Sequence, residues 1–242
     1  MNRELILLVL LQFSAHLLSD FYFQWEGMVS DKVKNGIKSG YLYLHILITF
    51  VFSWLFSFQW HFWWAALTIT LFHLGIDLLK SYFDRKKLLK KYLFFIDQAL
   101  HIAVIIFTVF LFDKCDYIDL PGFVVHPEIV AVITGFIFIL SPVNYFIKAI
   151  FDAFDIKFPG KSDSTELKNA GKLIGNSERI LILFFILIGE YEAIGFLLAA
   201  KSILRYNEKD TDFPNKTEYV LAGTLLSFTF AILTGFVISK IH

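Results

Sequence analysis

One cysteine, Cys115, stands in the whole chain, so no intramolecular disulfide can form, and a lone thiol says little about compartment. Neither sign of charge is in excess: 22 Lys and Arg face 22 Asp and Glu, which removes the basic surplus that a nucleic-acid partner would require. Also missing are a Gly-x-Ser-x-Gly elbow, a full Gly-x4-Gly-Lys-Ser/Thr phosphate loop and a His-Glu-x2-His pair, so the common hydrolase, nucleotide and metalloprotease signatures are not available. No small-residue cleavage site follows the N-terminal apolar run, which therefore reads as a retained first span and not as a signal peptide.

What is there is apolar. Of 242 residues 57% are hydrophobic, 18% aromatic and 29 are Phe, and the mean hydropathy is +0.62. One water-soluble core could not bury that much apolar surface, so the solvent for most of the chain is a bilayer. Seven segments are long enough for a hydrocarbon layer of ~30 Å at ~1.5 Å per residue. They are Glu4–Phe23, Tyr41–Phe58, Phe62–Phe83, Tyr92–Phe112, Ile129–Phe151, Ile180–Ala200 and Tyr219–Ser239. Without period-two alternation they suit helices and not a membrane barrel, so the fold class expected is an all-α polytopic helix bundle of about seven spans. Residues 1–112 form a four-helix unit. Residues 113–242 form a three-helix extension with a loop near 152–178, where the Asp163-to-Glu166 spacing suits the cap of a short surface helix.

Basic residues set the expected orientation. Assigning loops alternately to two sides puts 16 of the 22 Lys and Arg on one side, among them Lys32, Lys34, Lys38, Lys80 and the run Arg85–Lys91. That side should be cytoplasmic, with the N-terminus outside and the C-terminus inside.

Inside these lipid-like segments sit charges that lipid disfavours. "AHLLSD" puts His16 and Asp20 on the first span, and "HLGID" puts His73 and Asp77 on the third. "DQALH" puts Asp97 and His101 on the fourth, and His45 joins them from the second. Residues four apart share a helix face, so each pair can address one partner. The inward first and third spans carry these groups near their ends, and the outward second and fourth near their beginnings. All seven therefore fall about 5–15 Å below the cytoplasmic boundary. The order repeats: His16-x3-Asp20 then His45, and His73-x3-Asp77 then His101, as in two related hairpins, with Tyr41 where the second hairpin has Asp97.

Any one intramembrane His or Asp could merely bond a neighbouring helix. Seven at one level favour a metal site over a proton relay or a structural network, because charges in lipid tend to be paired or metal-bound. Mixed imidazole and carboxylate donors suit a divalent ion, zinc or manganese first and iron after them, and seven donors exceed the four of one tetrahedral zinc, so two ions are compatible with the count. Asp20, Asp77 and Asp97 are ligands or, with one carboxylate left free, the catalytic base.

"AHLLSDFYFQ", "LYLHILI", "HLGIDLLK" and "DQALHI" together resemble an uncharacterised bacterial integral-membrane family, domain of unknown function 3307, over roughly residues 5–110. The later "ERILILFFILIGEYEAIGFLLAAKSILRY" and "EYVLAGTLLSF" are similar to an extension many members carry. The resemblance implies a bacterial cytoplasmic membrane location and adds Gln24, at the end of His-x3-Asp-Phe-x2-Gln, as a site residue. It implies no activity.

Two functional classes follow. One is a metal-dependent hydrolase adding water to an ester, amide or phosphoester of a lipid-like substrate at the inner leaflet. The other is a divalent cation or proton transporter that would use Glu190 and Glu192 of the sixth span as later steps; a metal-clamped signalling or structural protein is a third reading. The outer halves of the first four spans carry almost no polar path, which favours the enzyme. Lys201 and Arg205 read as snorkelling bases, and His61, His126 and His242 as solvent-facing. The expected partners are membrane lipids, with the soluble partner unidentified and homo-oligomerisation open.

Overall fold

The computed structural model describes residues 3–115, 118, 126–156, 165–206 and 214–241, with side chains omitted for 165–170, 204–206 and 214–217. Among them every regular element is helical: α1 Arg3–Phe21, α2 Glu26–Asn35, α3 Gly40–Phe56, α4 Trp63–Arg85, α5 Leu93–Lys114, α6 Pro127–Leu140, α7 Pro142–Ala153, α8 Thr165–Ile188, α9 Tyr191–Tyr206 and α10 Pro214–Ser239. Four helices are long and apolar enough to cross a membrane, or six when each of two bent pairs, α2 with α3 and α6 with α7, counts as one span. The chain is an all-α membrane protein.

The described helices break two of the expected seven spans: the fifth, between α6 and α7 at Pro142, and the sixth. The sixth is not continuous: α8 ends at Ile188, Gly189 takes φ +79°, and α9 begins at Tyr191. Glycine reaches that left-handed backbone without strain, so it ends the helix where Glu190 and Glu192 make continuation in lipid costly. The surface helix expected in the preceding loop is instead the first part of α8, and the Asp163-to-Glu166 cap lies outside the described residues.

Two compact units divide the chain at Ile137 and Phe138. In the first, α1 packs on α3 and α5, and α4 packs on the same two, closing a ring of four helices; α2 packs on α3 and α4. Leu8, Phe62, Ala65, Ala66, Ile69, Ile105, Val109 and Phe112 form an apolar core at one end of this ring. Helix α3 is reversed relative to a soluble helix: it buries His45, Thr49 and Ser53, and turns Leu44, Leu47 and Leu55 outward. That arrangement fits a hydrocarbon surround, where polar groups are cheapest inside. Gln12 and Ser53 satisfy one another there, Gln12 Nε2 donating to the Ser53 carbonyl at 2.9 Å and Ser53 Oγ donating to Gln12 Oε1 at 2.6 Å.

Helix α2 meets α3 at 105°. The corner depends on Gly36, at φ +56°, where a Cβ would also stand 2.7 Å from Arg85 Nη2. Ser39 then caps α3 by accepting the Leu42 amide at 3.3 Å, and its hydroxyl donates to Asp31.

In the second unit α10 packs on α8 and α7. Pro142 cannot continue α6, and the chain bends by 45° into α7. Arg179, buried on α8, serves this break: Nε donates to the Ile139 carbonyl at 2.6 Å, Nη1 to Ser227 Oγ at 2.8 Å, and Nη2 to Asn144 Oδ1 at 2.8 Å and Asn176 Oδ1 at 2.5 Å. Asn144 Nδ2 in turn donates to the Leu140 carbonyl at 2.8 Å.

Candidate metal centre

Each helix of the four-membered ring delivers its share to one interior site. His16 and Asp20 come from α1, His45 from α3, His73 and Asp77 from α4, and Asp97 and His101 from α5. The four-residue spacing on α1, α4 and α5 puts each His above its Asp on the inward face. All seven side chains come together there. His45 is 0% exposed and Asp77, the most accessible of the six buried members, 6%; Asp20 is nearly as enclosed, its side chain at 9%.

The tightest part is a triangle. His45 Nε2 and His73 Nε2 are 2.9 Å apart, and Asp20 Oδ1 lies 3.6 Å from the first and 3.5 Å from the second. Asp77 Oδ2 is 3.6 Å from His45 Nε2. Donors around one tetrahedral ion with bonds of ~2.0–2.1 Å stand about 3.3 Å from each other, which is the scale of these separations. A point about 2 Å from all three corner atoms exists within the triangle, the bond length of a nitrogen or oxygen ligand to zinc. Around this triangle, ligand atoms in three sets lie within 4.8 Å of one another: His16, Asp20 and His73; His45, His73 and Asp77; and Asp77, Asp97 and His101.

Hydrogen-bond bookkeeping shows that the site is rich in acceptors. Gln98 Nε2 donates to Asp97 Oδ2 at 3.0 Å, which turns its Oε1 towards His16 Nε2 at 3.3 Å. An amide oxygen can only accept, so Nε2 carries the His16 proton and the Nδ1 lone pair faces Asp20 Oδ1 at 3.8 Å. Likewise His101 Nδ1 donates to the Asp97 carbonyl at 2.9 Å, leaving an Nε2 lone pair that is buried without a partner. Asp97 Oδ1 is also buried and unpartnered. Lone pairs directed at one another in a dry interior call for a proton or a metal ion between them.

Two lysines expected among the loop charges belong to the site. Lys32 of α2 is buried, with Nζ 2.6 Å from Asp77 Oδ2, and Lys80 of α4 reaches Asp97 Oδ2 at 2.6 Å. Lys80 was open to recognition, because it follows Asp77 by three residues and His73 by seven, on the same helical face. Lys32 was not, because its place depends on α2 folding back against α4. Three carboxylates and two ammonium groups leave one negative charge in excess while the imidazoles are neutral. Beside Asp20, Ser19 Oγ donates to its Oδ1 at 2.8 Å.

Residues outside the ring stay outside the site. Glu190 and Glu192 are exposed at the α8–α9 break, His61, His126 and Cys115 are exposed, and Lys201 pairs with Glu178 at 2.5 Å. Gln24 has a buried Nε2 with no hydrogen-bond partner. The Arg205 side chain and His242 lie outside the described residues.

Residues 6–118, which hold all seven residues and both lysines, match the model of the family described as "Protein of unknown function (DUF3307)", the family that the motifs resemble. No curated protein and no solved structure matches the chain.

Proposed function

We propose that the four-helix unit holds a divalent metal, zinc or manganese, and hydrolyses a lipid-like substrate at the inner leaflet of a bacterial cytoplasmic membrane, with the N-terminus outside. The observation that carries this reading is the triangle of His45 Nε2, His73 Nε2 and Asp20 Oδ1, with sides of 2.9, 3.6 and 3.5 Å. Asp77 supplies a fourth donor, and His16, Asp97 and His101 supply those of a second position. A bound divalent ion would polarise the scissile carbonyl or phosphoryl group and acidify water.

The chain's own groups do the rest. Lys32 and Lys80 hold Asp77 and Asp97 in place, each by one short ion pair. Asp97 retains an unpartnered Oδ1 that can take a proton from the attacking water and return it to the leaving alcohol as the ester or phosphoester bond breaks. Helix α2, held to the centre through Lys32, is the element that must shift to admit a substrate. The apolar core around Phe62 and Phe112 fills the other end of the ring, which favours chemistry in place over passage of an ion.

Elemental analysis of the purified chain, wild type and His73→Ala, tests the centre, and lipid turnover by mass spectrometry tests the reaction. Stoichiometric zinc or manganese that His73→Ala loses is expected, with Asp97→Asn keeping the ion of the His45, His73 and Asp20 triangle and losing turnover. Wild type and His73→Ala with equal, substoichiometric metal would remove the reading. Cation accumulation in sealed vesicles would replace hydrolysis with transport.

A further inference from the structure

Helix α2 and the short turn after it, Gly36–Lys38, carry a second set of polar groups, separate from Lys32. Asp31, Asn35 and Lys38 follow one another at spacings of four and three, and with Gly40, Tyr41 and Leu44 of α3 they line a groove of about 360 Å³. Its level follows from the corner itself. Where α3 crosses the bilayer, a helix at 105° to it lies close to the membrane plane. Trp25 and Ile37, 54% and 65% exposed at the two ends of α2, suit that interfacial position. The groove therefore opens where headgroups lie, and Tyr41 and Leu44 continue from it along α3 towards hydrocarbon.

The lining carries one charge of each sign. Asp31 accepts Asn35 Nδ2 on Oδ1 at 2.7 Å and the Ser39 hydroxyl on Oδ2, and each oxygen keeps a second lone pair. Lys38 is exposed, and its ammonium has no ion-pair or hydrogen-bond partner among the described residues. A cation and an anion side by side are complementary to a zwitterion. A headgroup with a phosphate alone would meet the Asp31 carboxylate, and a choline has no N–H to donate to it.

We propose that this groove is a recognition site for phosphatidylethanolamine, the phosphate on Lys38 and the primary ammonium donating to Asp31, with an acyl chain along Tyr41 and Leu44. The proposal stands on the groove alone and needs no metal.

Native mass spectrometry of the full chain in detergent, given equal amounts of phosphatidylethanolamine, phosphatidylcholine and phosphatidylglycerol, reads it directly. Retention of phosphatidylethanolamine about tenfold above the other two is expected, from one ammonium-to-carboxylate hydrogen bond that choline, without an N–H, and glycerol, without a charge, cannot match. Asp31→Asn should bring the three lipids level, and Lys38→Gln should lower retention of all three about tenfold, since each carries the phosphate. Because Asp31 also holds Ser39 at the α3 cap, Lys38→Gln, on an exposed side chain, decides the matter if Asp31→Asn unfolds. Equal retention by the wild type, or phosphatidylethanolamine retention that Lys38→Gln leaves unchanged, would overturn the proposal.

Discussion

Replacing Lys32 by Met removes one ammonium and keeps most of the side chain's volume. Its Nζ is 2.6 Å from Asp77 Oδ2, and each side chain is 7% exposed, so Asp77 would be left as a buried carboxylate without its counter-ion. Losing one partner of such a pair costs about 3–5 kcal/mol. At roughly 2–4 °C per kcal/mol, the metal-free melting temperature should fall by about 6–20 °C. A divalent cation should respond in the opposite sense, because the centre's excess negative charge rises from one to two. With the ion at a hundredfold its Kd, binding adds back about 2.7 kcal/mol. Melting of wild type and Lys32→Met in detergent, each with chelator and with zinc, gives four curves. The zinc-induced rise should be larger in the variant, and its zinc affinity higher. A variant that melts with the wild type in chelator would show that the pair is not buried in solution. A drop that zinc does not repair would refute the metal centre as the partner of these carboxylates.

Arg179→Met should destabilise the second unit by about 2–4 kcal/mol, since the Ile139 carbonyl and the Asn144 amide lose a buried donor, while metal content stays at the wild-type level; thermal unfolding and elemental analysis read the two effects. The orientation is checked in cells: the native Cys115, just beyond α5, should react with an impermeant thiol reagent, and a cysteine at Lys86 in a Cys115→Ser background should be protected. The reverse labelling would invert the topology.

The seven His and Asp residues were legible because an intramembrane charge is conspicuous against apolar neighbours and because a spacing of four fixes a shared face whatever the tertiary structure does. The level at which the groups meet followed from counting residues along spans that alternate in direction. The resemblance in residues 6–118 was legible for the same reason, since its motif is made of those residues. Less could be read where the chain leaves the span pattern. Helix α2 is short and polar on average, so nothing in its hydropathy separated it from a loop, and the break at Gly189 looked like a continuous span with two awkward glutamates.

That the chain is helical and belongs in a membrane, and which imidazoles and carboxylates would share an interior, follows from hydrophobicity and helical period, which are local properties. Which lone pairs face one another, that Lys32 and Lys80 balance two of the three carboxylates, and that an apolar core closes one end of the ring come from long-range packing. Those outcomes depend on which helix packs on which and on the 105° corner at Gly36, where a φ of +56° favours glycine. No local pattern encodes that corner, and it is the fold-back there that brings Lys32 to Asp77.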